Sequence, residues 1–165
     1  MATRDIDPDQ QLVPSLLDRL IDGQPDTERE PAKRRNQLLR ELKASVQRDL
    51  ENLLNTRWRC VSWPPELDEL ETSLVNYGIP DFTGKRFATA QERQTLRRIL
   101  EQVIRRFEPR FERLAIDLLE NKDPTDRRLN FRIDALLKAE PAPEPVVFDT
   151  RLETSTGNFD VLGAT

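Results

Sequence analysis

Over residues 31–56 the chain repeats its apolar residues at helical spacing. Leu39, Leu42, Val46, Leu50, Leu53 and Leu54 make one face, while Arg40, Lys43, Gln47, Arg48 and Glu51 fall elsewhere. The pattern predicts a long amphipathic helix, with Pro31 suited to its first turn. A second stripe, Leu96, Ile99, Leu100, Val103, Ile104 and Phe107, predicts another helix over 90–107, opened by a Thr89–Glu92 capping box. Pro109 disfavours helical angles for Glu108 and ends that helix there. Near the amino terminus, Leu16, Leu17, Leu20 and Ile21 form a short stripe within 12–22, stopped by Gly23. Residues 1–11 are polar and read as disordered, and 24–31 as a linker.

The last third changes period. Residues 111–120 alternate through Leu114, Ile116 and Leu118, and Asn121-Lys122-Asp123-Pro124-Thr125 is rich in turn formers. Leu129, Phe131, Ile133, Ala135 and Leu137 alternate with polar residues, the pattern of a strand with one wet face. Pro141, Pro143 and Pro145 interrupt before a strand over 146–152, and Gly157-Asn158 marks the tip of a hairpin into Phe159-Asp160-Val161. The stretch 57–88 is long for a loop. Its Trp58, Trp63 and Tyr77 argue that it packs down, with a short helix over 66–71. Helices first and strands later predict an α+β fold. The expected arrangement is two long amphipathic helices packed on one face of a small antiparallel sheet, with a short N-terminal helix. Residues 1–30 form a flexible segment bearing that helix, and 31–165 the α+β domain.

Composition narrows the chemistry. With 26 basic and 30 acidic residues interspersed and a net charge of -4, nothing points to nucleic acid. The chain has no histidine, which removes the usual general base and metal ligand, and with them Ser-His and Cys-His nucleophiles. Cys60 is alone, so a reducing compartment is expected and no disulfide within the chain. Between Trp58, Val61 and Trp63 it reads as a half-buried apolar residue rather than a catalytic thiol. Asp5, Asp7 and Asp9 stand where a signal peptide needs an apolar run, and no window reaches the length of a membrane span. A cytoplasmic protein without cofactor or metal is expected.

Glycoside hydrolysis needs only two carboxylates, and Glu108 is its candidate acid. Arg110 beside it is adverse, because a guanidinium lowers a carboxyl pKa where an acid needs it raised. Asp117 and Asp134 lie in strands, with no spacing that brings either to Glu108. No glycine-rich phosphate loop or nucleophile elbow is present. Glu108, Pro109 and Arg110 therefore read either as a salt bridge securing a helix-to-strand corner or as a docking contact. An exposed sheet edge is the other candidate surface, since an unpaired strand accepts one from another chain. The prolines blunt the edge beside Val146, whereas 111–120 carries no such guard.

Several segments, in order, resemble the TssE family of type VI secretion baseplate subunits. They are Ser15-Leu16-Leu17-Asp18-Arg19-Leu20, residues 45–57 from Ser45 to Arg57, Asn76-Tyr77-Gly78-Ile79-Pro80-Asp81, Phe107-Glu108-Pro109-Arg110, Leu129-Asn130-Phe131-Arg132-Ile133-Asp134-Ala135 and Val147-Phe148-Asp149-Thr150. Asn52 departs from it, standing where many members carry tryptophan. The family is related to a wedge protein of contractile phage tails and bears a historical lysozyme label. The resemblance implies a structural, non-enzymatic subunit that joins the TssF and TssG wedge, with TssK and the sheath subunits TssB and TssC as further partners. Such a subunit offers a platform for sheath polymerisation at the cytoplasmic face of the inner membrane. It assigns docking to Glu108, Pro109 and Arg110, and Leu16, Leu17 and Leu20 are read as a further docking element. The alternatives are a peptidoglycan hydrolase and a wedge subunit of a phage-like contractile tail.

Overall fold

The computed structural model describes residues 34–59, 64, 66–71, 73–85, 87, 89–119, 128–139 and 142–164, together with Leu17 and Leu20. Helix α1 spans Arg35–Asn55 and buries Leu38, Ser45, Val46, Leu50, Leu53 and Leu54. The buried stripe thus begins at Leu38, one position before the expected Leu39. Its start is Arg34, whose N–H donates to the Gln37 side chain at 2.9 Å. Helix α2 spans Ala90–Phe107 and begins with the expected reciprocal cap: Glu92 N donates to Thr89 Oγ1 (3.2 Å) and Thr89 N to Glu92 Oε2 (2.9 Å). Between the helices lie two 3-10 turns, Asp68–Glu71 and Leu74–Asn76. Cys60, Trp63 and the turn formers 121–125 lie outside the described residues.

Four strands follow: β1 Phe111–Leu119, β2 Leu129–Leu137, β3 Glu144–Glu153 and β4 Asn158–Ala164. They form an antiparallel meander in the order β1-β2-β3-β4. The register sets Ile116 opposite Ile133, and Ile133 opposite Phe148, so the apolar sets share one face. Phe131, Ile133, Phe148, Leu152 and Phe159 are nearly inaccessible and join α1 and α2 in one core. The other face is polar, with Arg132 on β2 donating to Asp149 on β3 at 3.0 Å. Strand β3 starts earlier than the prolines suggested. Pro145 pairs with Leu136 where β4, which reaches back only to Phe148, no longer covers it, so its missing N–H breaks no ladder.

The α+β class holds, but the expected arrangement does not. The two described helices are not laid as a pair on the sheet. Each instead flanks a different edge. Helix α1 lies along β4, where Asn55 Nδ2 donates to Phe159 O (2.8 Å), Phe159 N donates to Asn55 Oδ1 (2.9 Å) and Gln47 Nε2 donates to Val161 O (2.8 Å). Helix α2 flanks β1, where Arg97 Nη1 and Arg105 Nη2 donate to the carbonyls of Ile116 (3.3 Å) and Leu114 (2.7 Å). Contact between the helices is sparse beside either of these. Periodicity does not record these side-chain bonds to the strand margins, and so does not say which margin each helix takes. The short N-terminal helix falls outside the described residues except at Leu17 and Leu20, both helical and 58% and 80% exposed.

Candidate functional site: the helix-to-strand corner

Pro109 acts as expected. Glu108 closes α2 with its N–H on Ile104 O (2.8 Å), then turns to φ -121° and ψ 80°, outside the helical region, as a residue before proline must. The chain reverses through Pro109 and Arg110 into β1. Lys138, just past β2, holds the reversal: its backbone N–H donates to Arg110 O (2.8 Å) and its Nζ to Pro109 O (2.7 Å).

The charges at the corner turn inward. Glu108 is 5% exposed. Both its oxygens accept from one guanidinium, Oε1 from Arg110 Nε and Oε2 from Arg110 Nη2, each at 2.5 Å. The same guanidinium reaches α1, donating from Nη2 to Asp49 Oδ2 (2.6 Å) and from Nη1 to Ser45 Oγ (3.2 Å). Ser45 and Asp49 are one helical turn apart and so share a face. Arg110 thereby ties the corner to the middle of α1. Its burial works to lower its pKa, but the bonds and charge of Glu108 and then Asp49 outweigh that and raise it above the usual guanidinium value.

Beside this fork is a cleft of about 310 Å3 lined by Asp49, Leu53, Tyr77, Phe107, Glu108, Pro109 and Arg110. Tyr77 comes from the loop after α1 and packs edge-on against Phe107, with ring centroids 5.2 Å apart at 70°. Partial burial, then the nearby charges of Asp49 and Glu108, raise its phenol pKa above the ordinary 10.0. A phenol that holds its proton more tightly when folded gives stability that is complete below pH 10 and lost as pH rises through the folded value. We expect Tyr77 phenolate absorbance to appear at higher pH in the folded chain than in denaturant. Coincident titrations would mean an open, water-filled cleft.

Glu108, Pro109 and Arg110 are thus brought together as the sequence reading had them, with Pro109 exposed and the two charges engaged within the chain. Leu17 and Leu20 present apolar surface, and Leu16 lies outside the described residues. Asp49 and Ser45 were missed. The available signal was a polar pair spaced four apart beside the buried Val46, Leu50 and Leu53. As an acid catalyst the corner is poorly arranged, because both oxygens of Glu108 face Arg110 and Asp49, the second carboxylate of the cleft, binds the same guanidinium. Asp117 and Asp134 are on outward-facing positions of the sheet, away from the core side that Glu108 closes. Among the described residues no three Cys, Asp or Glu side chains converge as a metal ion requires, and no helix is long and apolar enough to cross a membrane.

Residues 40–142 match the family model of baseplate wedge protein gp25. The chain belongs to that family. The match takes in Ser45, Asp49, the Tyr77 loop, the Glu-Pro-Arg corner, β1 and β2, and ends before β3. TssE is the type VI secretion member of the gp25 family, so the resemblance of the quoted segments fits the match. A comparison with curated proteins gives no match. Membership sets a structural role in the baseplate of a phage-like contractile machine, among other baseplate and tail proteins.

Proposed function

We propose that this gp25-family protein is the TssE-type subunit of a type VI secretion baseplate. In this reading it docks on the TssF and TssG wedge beside TssK, at the cytoplasmic face of the inner membrane. Its sheet then starts the polymerising sheath of TssB and TssC, with an open edge receiving a strand. The observation that carries the reading is the Glu-Pro-Arg corner, set within the family match and closed through Asp49 onto the resembling segment 45–57. The fork of Glu108 and Arg110 holds the corner in shape. The exposed Pro109 and the cleft beside it meet the wedge, and the Leu16, Leu17 and Leu20 stripe provides a second contact. Binding surfaces on pre-formed corners avoid the ordering cost that a loose loop incurs.

The test is sheath assembly in a host with a type VI system, imaged through a fluorescent TssB. Removing the chain is expected to abolish sheaths, and the wild-type chain to restore them. A Leu17→Ser/Leu20→Ser variant, altered only at exposed positions, should remain folded yet copurify poorly with TssF and TssG. Sheaths that form normally without the chain would overturn the role. Normal recruitment of the variant would remove the stripe from the docking surface.

A further inference from the structure

We propose that β1 is the strand-receiving edge of this sheet. Arg97 and Arg105 form a displaceable guard on it that selects an extended segment carrying carboxylates at alternate positions. The inference rests on the reading that the sheet docks a partner chain, and names the edge and the chemistry.

The two edges are closed in different ways. On β4, the Asn55 amide both donates to and accepts from Phe159, as a neighbouring strand would, and Gln47 caps Val161 O. These side chains are shorter than arginine, so the α1 backbone stands closer to its strand than α2 does to β1. On β1 the caps are arginines, whose long stems reach Leu114 O and Ile116 O from an α2 that stands further off. In an antiparallel strand the N–H and C=O of one residue face the same side. The N–H groups of Leu114 and Ile116 therefore point outward with their carbonyls. A guanidinium only donates, so it cannot serve them. Among the described residues, edge β1 is blocked for its acceptors and left open for its donors.

An incoming strand supplies both kinds of group and displaces the guanidiniums from the carbonyls. Those guanidiniums then need new acceptors. Arg105 keeps Glu101, at 2.9 and 3.2 Å. Arg97 is worse placed, since its Nε is already buried with no acceptor. Side chains on the α2-facing side of the added strand meet these groups, and they recur every second residue. Leu114 and Ile116 have the same spacing, so an acid-x-acid pattern matches the two arginines. A second copy pairing through its own β1 would bring Leu114 and Ile116 to this place, and these carry no acceptor. The guard therefore disfavours self-pairing, as edge charges do elsewhere.

The test uses the full chain and a nine-residue strand-forming peptide with glutamate at alternate positions, against the same peptide with glutamine. Binding is read by fluorescence anisotropy, and the edge by amide exchange. We expect the glutamate peptide to bind about tenfold more tightly, as charge-assisted bonds to guanidinium would give. New protection should appear at Leu114 and Ile116. In Arg97→Gln/Arg105→Gln the preference should vanish and self-association should rise. If that variant fails to fold, Arg97→Lys/Arg105→Lys decides, and it should keep a reduced preference. Equal binding of the two peptides, binding of neither, protection on Phe159 and Val161 instead, or an undiminished preference in the variants would each overturn the proposal. A chain that binds both peptides alike yet restores sheaths in cells loses the guard but keeps the baseplate role.

Discussion

Replacing Arg110 with methionine should destabilise the free protein by about 3 kcal/mol, the lower end of what removing one partner of a buried ion pair costs. Methionine keeps much of the stem's packing, so the loss is chiefly electrostatic. Glu108, with its side chain 6% exposed, would be left buried without its guanidinium. Asp49 is 30% exposed and would turn to water more cheaply. The variant Glu108→Leu/Arg110→Met removes both charges and leaves an apolar pair in their place. It should recover most of the loss, because replacing both partners of a buried pair is often close to neutral. Urea unfolding midpoints at unchanged slope would measure each step. A loss under about 0.5 kcal/mol for Arg110→Met would mean the fork is worth no more than an exposed pair, whose usual contribution is roughly 0–1 kcal/mol.

The same two variants bear on docking. A failure of assembly with Arg110 altered alone has two causes, a weakened fold and a lost contact. The stabilised double variant separates them. If it folds and still assembles, the two charges serve the corner and Pro109 with the cleft does the docking. If it folds and does not assemble, the partner reads the charges themselves.

The local structure was legible because each element announces its period. The α2 stripe, its cap, the stop at Pro109 and the alternation of β2 are all short-range facts, settled within a few residues of chain. The arrangement was not legible, since it depends on bonds between distant residues. Asn55 and Phe159 are 104 apart in sequence, and Arg110 and Asp49 are 61 apart. A helical stripe says that a face is covered, and leaves open which strand margin draws the helix to it. The corner shows the same limit. Glu108 and Arg110 could be paired from sequence, but Asp49 sits among Arg48 and Glu51 and reads as one charge of a solvated face. The guard on β1 was equally hidden, because Arg97 and Arg105 look like ordinary residues of the wet side of α2.

Gly78→Ala is expected to cost at least about 3 kcal/mol, combining the roughly 1–3 kcal/mol of an unfavourable backbone region with a steric conflict. Gly78 has φ +113°, and a Cβ there would stand 2.4 Å from Thr56 O and 2.8 Å from Thr56 C. Both are backbone atoms, so no side-chain rotation relieves the clash. Nor is Thr56 O free to retreat, since it accepts from Ile79 N at 2.9 Å, and Trp58 N donates back to Ile79 O at 3.1 Å. This parallel bridge fastens the Tyr77 loop to the end of α1. Displacing it would move Tyr77 off Phe107 and open the cleft, so the phenol should titrate nearer its ordinary value as well. Gly84→Ala is the control: φ is +70° there but nothing lies within 4 Å of the added carbon. Its cost should stay near about 1 kcal/mol, that of a left-handed residue alone. If the two substitutions cost the same, close approach to Thr56 is not what demands glycine at 78. The loop would then owe its position to the packing of Tyr77 and Ile79 instead.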